Sequence, residues 1–551
     1  MSAARQKVAV VTGGGGGIGA AVAEELGRGG WFVVTVDPLV TLDGSATLPQ
    51  PEETTAGRIT AAGGSAQASS VSVTDRDAVR ELFQGLADER GGLDAVVNVA
   101  GITRPTTFAK GSEEDWLAVL SVHLGGYLNV LEAAMPIMAA AGHGHIVGIT
   151  SGSGWRPADA GAYSCAKRAV AALTWQLGRC TPAGVTVNAM SPIAATRMVT
   201  EALARARRAS AASGRTAGTG GLSLSSMPSA DDLGPIGAHL AGDGFGWCNG
   251  RVLFAGGSEV AVIDEPRLLE VVRTGGVASL PRVLEAVIPG ALSVAEAAQA
   301  TTGGGNPRFG AIFDEPAGTV PTESVRSCAL VSDRPGLVSQ LTSALESRSV
   351  VCHTVEMHGG IGDVSKRLNA IVDAGGPLDA VVVAPSGDTP AGTGEEDGWR
   401  TVLASHRGIV EQLHADAAWA RAAAELAAEK DHPLRLVTLI DGRTPGGHSR
   451  AQASAQLARA AAVSTRGKVA AFAVSLEASE EKAGATAAEL VANLLCNQDD
   501  AAGLAGAELV VDADWLGLRS HPRPTGSVIY GGPAVPDWLD RVLRNITGFH
   551  S

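Results

Sequence analysis

Short runs of continuous apolar or β-branched residues recur along the whole chain, and they alternate with segments whose apolar residues have helical spacing. Such runs are typical of strands that are buried on both faces of a parallel sheet. In the first half the runs are 8–11, 31–36, 93–99, 145–149, 185–190 and 252–254. In the second half they are 329–331, 350–355, 378–384, 434–440, 469–474 and 508–511. This alternation predicts a doubly wound α/β fold in each half.

The two halves are similar to each other. LDAVVNVAG at 93–101 and LDAVVVAPSG at 378–387 occupy equivalent places, which indicates duplication of a whole domain. A segment rich in Gly, Pro and Thr separates the halves and is typical of a linker. We therefore predict two tandem Rossmann-like doubly wound parallel-sheet domains, the second degenerate. The predicted boundaries are a catalytic domain at 1–265, a linker at 266–325, a degenerate domain at 326–525 and a C-terminal tail at 526–551.

Composition excludes several classes of protein. The net charge is −14 and no basic tract is present, so we expect neither nucleic acid nor a membrane surface as a partner. No apolar run approaches the roughly 20 residues that span a bilayer. The start lacks the pattern of a signal peptide, and the six cysteines form no CxxC pair. These features predict a cytoplasmic protein without disulfides or a metal site.

A glycine-rich turn, TGGGGGIG at 12–19, follows the first predicted strand and opens the first predicted helix. Glycines there permit a tight turn and let a pyrophosphate approach the helix N-terminus, where free N–H groups favour anions. Asp37 ends the second strand about 20 residues further on, where a carboxylate accepts hydrogen bonds from the adenosine ribose. The same charge repels a 2′-phosphate, so we predict that NAD(H) is favoured over NADP(H).

Tyr163 and Lys167 stand four residues apart, so a helix brings the phenol and the ammonium together on one face. An unperturbed tyrosine has a pKa near ~10, and a neighbouring cation lowers it toward the range useful for general acid/base catalysis. Ser151 directly follows a predicted strand, at the edge of the sheet where active clefts of this fold lie. Its hydroxyl can donate a hydrogen bond to a substrate carbonyl.

Taken together, TGGGGGIG, Asp37, NVAG at 98–101, Ser151 and YSCAK at 163–167 resemble the short-chain dehydrogenase/reductase family over residues ~6–265. The resemblance implies that Tyr163 is the proton donor and acceptor, Ser151 orients the carbonyl, and Lys167 anchors the ribose and lowers the phenol pKa. It also implies a set of cofactor-binding residues at the glycine-rich turn and the ends of the following strands. These are Gly13, Gly17, Ile18, Gly19, Asp37, Ser72, Val73, Asn98, Ala100, Gly101, Pro192 and Thr196.

Departures from the family pattern indicate a subgroup. Ser72 replaces the usual Asp beside the adenine, and His123 stands where the family usually has the Asn that holds a proton-relay water. A neutral imidazole can also relay protons, so His123 joins the catalytic candidates, with a partly buried structural role as the alternative. The VHL turn at 122–124, ITAAGGSAQASSVSVTD at 59–75 and SPIAATRM at 191–198 together resemble the (3R)-hydroxyacyl-CoA dehydrogenase portion of the peroxisomal multifunctional enzyme type 2 group and its bacterial relatives.

The second half lacks this chemistry. VSDRPGL at 331–337 replaces the glycine-rich turn, Asp441 falls at the position of Ser151, and Gln452 and Gln456 fall near the positions of Tyr163 and Lys167. We predict a catalytically inactive scaffold domain, with a second site of different chemistry as the alternative. Its Ala-rich helices would pack on those beside the active site as an intrachain pseudo-dimer, and chains would pair again as a homodimer.

The predicted function is an NAD(H)-dependent oxidoreductase of ketones and secondary alcohols. The leading substrate is a 3-oxoacyl or 3-hydroxyacyl thioester, carried on coenzyme A or on acyl carrier protein. A polyketide-like or other bulky cyclic ketone is the alternative, because the Gly/Ser-rich segment 206–229, predicted as a lid, does not define the pocket. A non-catalytic nucleotide-binding scaffold is the alternative of another class.

Overall fold

The computed structural model describes residues 5–156, 159–201, 204, 227–273, 325–387, 398–497 and 502–548. These residues form two α/β halves, each built on its own mixed, mainly parallel sheet with helices on both faces. This confirms the predicted fold class. The predicted lid lies outside the described residues up to 226, and so does the linker from 274 to 324.

The first sheet has nine strands in the order β17-β8-β7-β6-β5-β4-β1-β2-β3, with β8 and β17 antiparallel to their neighbours. Its strands are β1 (Val8–Thr12), β2 (Phe32–Val36), β3 (Ser65–Ser69), β4 (Ala95–Asn98), β5 (Gly144–Ile149), β6 (Val185–Pro192), β7 (Val252–Gly256), β8 (Glu259–Asp264) and β17 (Arg523–Ile529). Its helices are α1 (Gly17–Arg28), α2 (Thr55–Ala61), α3 (Arg76–Arg90), α4 (Glu113–Leu120), α5 (Gly126–Ala141), α6 (Gly161–Leu177) and α7 (Gly234–Leu240).

The second sheet has eight strands in the order β11-β10-β12-β13-β14-β15-β16-β9. Its strands are β9 (Leu268–Arg273), β10 (Ser327–Val331), β11 (Val351–Val355), β12 (Ala380–Val383), β13 (Leu434–Asp441), β14 (Val469–Leu476), β15 (Glu508–Val511) and β16 (Trp515–Arg519). Its helices are α8 (Pro335–Glu346), α9 (Ile361–Gly375), α10 (Gly398–Ser405), α11 (Ile409–Glu429), α12 (Pro445–Thr465) and α13 (Glu480–Cys496), and α14 (Leu539–Thr547) follows near the end of the chain.

The two halves exchange edge strands. Strand β9 lies in the predicted linker, yet it pairs antiparallel with β16 of the second sheet. Strand β17 lies at the start of the predicted tail and pairs antiparallel with β8 of the first sheet. Helix α14 then buries Leu539 and Leu543 in the core of the first half. The predicted linker and tail therefore contain elements of both sheets, because each open sheet edge takes the nearest strand that the crossing chain supplies.

Helices also join the halves. Helix α6 packs along α12, and α4 and α5 meet α10 and α11, so that one continuous hydrophobic core contains side chains of both halves. The Ala-rich segments 419–428 and 451–463, singled out as packing faces from the sequence, lie in α11 and α12. Small side chains let the helix backbones approach closely there. These are the contacts that the proposed pseudo-dimer requires.

The longest apolar helical stretch, Glu113–Ala141, consists of α4, one π-helical turn at Ser121–Gly125, and α5. It is the one helix in the described part of the chain that is long and apolar enough to cross a membrane. More than half of its most apolar window is buried inside the protein, as expected for a core helix. Its π-helical turn carries His123 and interrupts regular packing next to the candidate site, where such turns are often found.

Replacing Leu543 by Ala should lower the free energy of unfolding by about 2–5 kcal/mol, because it leaves a cavity between α14 and the first sheet. Urea unfolding of the full chain would measure the loss. Asn545→Ala on the exposed face of the same helix is the matched control and should change stability by less than about 0.5 kcal/mol. Equal effects of the two changes would show that α14 is not docked on the first half.

Candidate active site

The glycine-rich turn joins β1 to α1 at the carboxyl edge of the first sheet. Gly13 and Gly17 have φ values of +65° and +55°, a conformation that favours glycine. A β-carbon at Gly13 would lie 2.8 Å from the backbone nitrogen of Ala100, and one at Gly19 would collide with the carbonyl oxygen of Gly13. The turn is therefore a tight cradle at the start of a helix, and it fits the pyrophosphate of a dinucleotide.

Asp37 lies beside this turn, directly after β2. Its Oδ2 accepts a hydrogen bond from the backbone nitrogen of Gly15 at 3.0 Å, and its Oδ1 accepts one from Leu39 at 2.9 Å. The side chain lines the cleft together with Gly17 and Ile18. The carboxylate is thus held next to the cradle, at the place where a ribose bound there would lie.

The end of β4 forms the floor of the cleft. The Thr12 hydroxyl donates to Oδ1 of Asn98 at 2.8 Å and accepts from the backbone nitrogen of Ala100 at 3.2 Å, which ties β4 to β1. Gly101 lines the cleft directly against the ring of His123, with no room for a β-carbon between them. Asn98 and Ala100 therefore shape the floor of the cleft without lining it.

Ser72 and Val73 lie apart from the residues that line the cleft. The Ser72 hydroxyl is 2.8 Å from that of Thr74 and accepts from the Thr74 backbone nitrogen at 3.3 Å. The Val73 side chain is buried, and its carbonyl accepts from Nδ2 of Asn129 at 2.9 Å. Their contact with adenine stays a prediction.

Helix α6 carries Tyr163 and Lys167 on the face that closes the cleft. The Ser151 hydroxyl is close enough to the Tyr163 phenol to lower the pKa of that phenol. Lys167 is almost completely buried, and its Nζ donates to the carbonyl oxygen of Ile149 at 2.7 Å and lies 5.6 Å from the centre of the Tyr163 ring. Three side chains that the sequence placed at separate strand and helix positions therefore converge on one point.

The electrostatics of this group differ in part from the expectation. Burial raises the pKa of Tyr163, and the hydrogen bond from Ser151 and the guanidinium of Arg156 oppose that rise. Burial also lowers the pKa of Lys167 to about 7. Arg156 is thus a second cation near the phenol, and the lowering of the phenol pKa by Lys167 stays a prediction.

Arg156 was missed in the sequence. It lies in the short loop after Ser151, and its guanidinium covers Gly152 so closely that no β-carbon would fit there. Burial lowers its pKa to about 10, and the proximity of Tyr163 opposes that shift. The one feature of the sequence that could have identified Arg156 as a site residue is its position. It is a basic residue between Ser151 and Tyr163, in a short segment that must pass beside the phenol.

His123 faces Tyr163 from the π-helical turn. The two ring centres are 5.0 Å apart in an edge-to-face arrangement. Nε2 lies 2.7 Å from the carbonyl oxygen of Ile102 and 3.3 Å from its backbone nitrogen, so it donates to the carbonyl or accepts from the N–H according to the tautomer of the ring. Burial and the nearby charge of Lys167 lower the pKa of His123 to about 3. The ring is thus neutral at physiological pH.

Pro192 and Thr196 line the cleft on the side of β6. The Thr196 side chain approaches Gly17, and its hydroxyl accepts from the backbone nitrogen of Val199 at 3.3 Å. Met198 and Val199 add an apolar wall beyond them. This side of the cleft leads toward the predicted lid, most of which is not described.

Known proteins share this arrangement. A family model described as short chain dehydrogenase matches residues 7–207. The 3-oxoacyl-[acyl-carrier-protein] reductase FabG of Haemophilus influenzae is 30% identical over 254 residues, which cover 46% of this chain and 97% of that protein. The chain belongs to the short-chain dehydrogenase family. It is an oxidoreductase of CH–OH and ketone groups that uses a nicotinamide cofactor.

Other similarities cover different parts of this short-chain dehydrogenase. The short-chain reductase protein NovJ of Streptomyces niveus is 36% identical over 36% of this chain and 74% of that protein. Acetoacetyl-CoA reductase of Cupriavidus necator is 35% identical over 34% of this chain and 74% of that protein. The solved N-domain of a bacterial malonyl-CoA reductase with NADP is 15% identical, with a TM-score of 0.66 over 92% of this chain and 98% of that one. This similarity shows that a known structure has the same fold over both halves together.

The second half of this short-chain dehydrogenase closes the equivalent cleft with its own polar groups. Asp333, where the first half has its glycine-rich turn, accepts from the backbone and hydroxyl of Ser386 at 2.7 and 2.6 Å. Asp441, at the position of Ser151, forms two hydrogen bonds to Arg443 at 2.9 and 2.6 Å. No tyrosine occurs between residues 326 and 525. A carboxylate at each of these two positions disfavours a dinucleotide.

The pKa of His123 predicts an acid-dependent loss of stability. Unfolded histidine binds a proton near pH 6.5, whereas folded His123 binds one only near pH 3, so stability is lost as the pH falls between these values. The loss between pH 7.5 and 5 should be about 2 kcal/mol larger in the wild type than in His123→Asn. Urea unfolding at both pH values measures it, and equal losses would show that His123 is accessible to protons in the folded state.

Proposed function

We propose that this short-chain dehydrogenase interconverts a ketone and a secondary alcohol with NAD(H), using Tyr163 as the general acid and base. The observation that carries the proposal is the convergence of Tyr163 and buried Lys167 in the same cleft as the glycine-rich cradle, with Ser151 beside the phenol. A nucleotide-binding scaffold without turnover would not need these three groups to converge.

Each side chain then has a distinct task. The nicotinamide cofactor supplies or accepts the hydride when bound. Ser151 donates a hydrogen bond to the carbonyl oxygen, and Tyr163 gives that oxygen its proton during reduction. Lys167 and Arg156 supply positive charge that stabilises the phenolate left behind. His123, edge-on to Tyr163, is the residue proposed to take part in the relay that supplies replacement protons.

A 3-oxoacyl thioester is the proposed substrate class. The chain is similar to a 3-oxoacyl-[acyl-carrier-protein] reductase and to an acetoacetyl-CoA reductase, and both names denote reduction of a 3-oxoacyl group on a thioester carrier. The apolar wall of Met198 and Val199 suits an acyl chain. The finer resemblance to the (3R)-hydroxyacyl-CoA dehydrogenase group stays a prediction.

Replacing Tyr163 by Phe should lower kcat for ketone reduction by about 10²–10⁴-fold, because it removes the proton donor and leaves the ring in place. NADH oxidation would be followed with acetoacetyl-CoA, a 3-oxoacyl pantetheine and a bulky cyclic ketone. Tyr530→Phe, on the strand-exchange side of the first half, is the matched control. Activity of Tyr163→Phe within threefold of wild type would refute the role, and turnover of the cyclic ketone alone would refute the thioester class.

Asp37 should make the enzyme prefer NADH over NADPH, since its carboxylate is held beside the glycine-rich turn and its charge would repel a 2′-phosphate bound there. In Asp37→Asn we expect the ratio of kcat/KM for NADH to that for NADPH to fall at least about tenfold, equivalent to about 1.4 kcal/mol. Asp77→Asn on the exposed start of α3 serves as the control. A wild type that prefers NADPH would show that Asp37 does not face the 2′ position.

A further inference from the structure

Residues 152–156, here called the active-site loop, lead from Ser151 toward Tyr163 and present four successive backbone carbonyls to side chains. Nε2 of Gln456 donates to the carbonyl oxygens of Ser153 and Arg156, at 3.0 and 2.7 Å. Nη1 of Arg459 donates to that of Trp155. Within the first half, Nη1 of Arg168 donates to the carbonyl oxygen of Gly154 at 3.5 Å. Three of the four carbonyls are therefore bound by α12 of the second half.

The loop depends on these donors. Its own backbone hydrogen bonds run from residues 154, 155 and 156 back to Ser151 and Gly152, and its carbonyls from 153 to 156 accept from the side chains of Gln456, Arg168 and Arg459. Gly154, Trp155 and Gln456 are buried, which keeps water from replacing the donors. Buried carbonyls that lose their partners are costly, and a loop in that position rearranges.

What the loop carries is the guanidinium of Arg156. Its backbone carbonyl accepts from Gln456, its side chain lies over Gly152, and the charge of its guanidinium lowers the pKa of the Tyr163 phenol. A displacement of the loop therefore moves a positive charge away from the group that must become a phenolate. Gln456 therefore affects the phenol proton indirectly. Its amide group fixes the backbone of Arg156, and Arg156 supplies the positive charge near that proton.

A buried polar network fixes α12 at this place. Arg168, which follows Lys167 on α6, donates from Nε to Oε1 of Gln452 at 2.8 Å. The Gln452 amide donates to both oxygens of Glu508 at 2.8 and 2.6 Å, and Glu508 accepts from Arg519 at 2.5 Å. Gln452 lies one helical turn before Gln456. The register of α12 against the catalytic helix is therefore specified by charge as well as by packing.

We propose that Gln456 and Arg459 of the second half are positioning residues of the active site in the first half. In this view the helix that lost its own Tyr–Lys pair has acquired donors that hold the active-site loop of its neighbour. The inference rests on the proposed role of Tyr163, and it assigns the second half a part in turnover beyond packing.

The test uses the full chain with two changes at one position and a matched control. Gln456→Met keeps the length of the side chain and removes both donors, and Gln456→Glu presents a carboxylate to the two carbonyls. Arg421→Met is the control, because Arg421 of α11 is equally buried and donates across the same interface to the carbonyl of Gly111 at 2.7 Å, away from the active-site loop.

Gln456→Met should lower kcat by about 10–100-fold, the effect of a displacement near 1 Å in an active site, with the Kd for NADH within about twofold of wild type. Gln456→Glu should lose activity too, and its kcat relative to wild type should recover as the pH falls, because a protonated carboxyl can donate again. Arg421→Met should keep kcat within about twofold. Equal kcat values for Gln456→Met and Arg421→Met would overturn the proposal.

A second measurement needs no substrate. The chain has three tyrosines, so ¹³C-labelling of the phenol carbons gives three NMR signals, and Tyr163→Phe assigns one of them. Titration of the Tyr163 signal should move to higher pH in Gln456→Met and stay in place in Arg421→Met. An unchanged titration in Gln456→Met would overturn the proposal, whereas wild type that reduces no ketone in the panel would refute the proposed function alone.

If Gln456→Met does not fold, Arg459→Met and Arg459→Lys replace it. Loss of the donor to Trp155 should lower kcat and raise the pH of the Tyr163 titration, and the lysine, which can still donate, should restore both. Failure of Arg459→Met to change either quantity would overturn the proposal as well.

Discussion

The contact between α6 and α12 is the constraint on which the rest of the molecule depends. It buries Arg168, Gln452 and Glu508 completely, with Arg519 reaching Glu508 from the second sheet. Burial lowers the pKa of Arg168 to about 9, whereas the two carboxylates around Arg519 raise the pKa of that guanidinium. Charges removed from water are tolerated only when their partners are in place, so such a network specifies one alignment of the two helices more than it adds stability. The alignment that results sets the active-site loop.

The fold was predictable from the sequence mainly where burial is uniform. Strand β1, VAVVT, is buried along its whole length and reads as a continuous apolar run. Strand β8, EVAVID, was nevertheless missed although it is buried along its whole length. Other misses are strands with another environment. Strand β3, SAQAS, is a partly exposed edge and has no apolar run, and β17, RPTGSVI, alternates between exposed and half-buried positions. Edge strands are defined by what lies beside them, and the sequence alone does not state that β17 crosses to the first sheet.

The residues of the candidate site also divide into those that the sequence predicts and those that it does not. The glycine-rich turn, Asp37 and Tyr163 with Lys167 were accessible because each belongs to a local pattern at a strand end or on one helix face. Arg156 and Gln456 have no such pattern. Gln456 bonds to backbone atoms 300 residues away, and from the sequence it was visible only as the loss of a catalytic lysine. A position that has lost its catalytic residue can acquire a positioning role. Only the packed structure shows whether the new residue has such a role.

The exchange of β9 and β17 has a consequence for biosynthesis. Domains generally fold in the order in which they leave the ribosome, yet the first sheet here receives its last strand and α14 only when residues 523–547 emerge. The whole second half must therefore be made before the sheet of the catalytic half is closed. Until then a nascent chain holds an unfinished sheet edge in its first half.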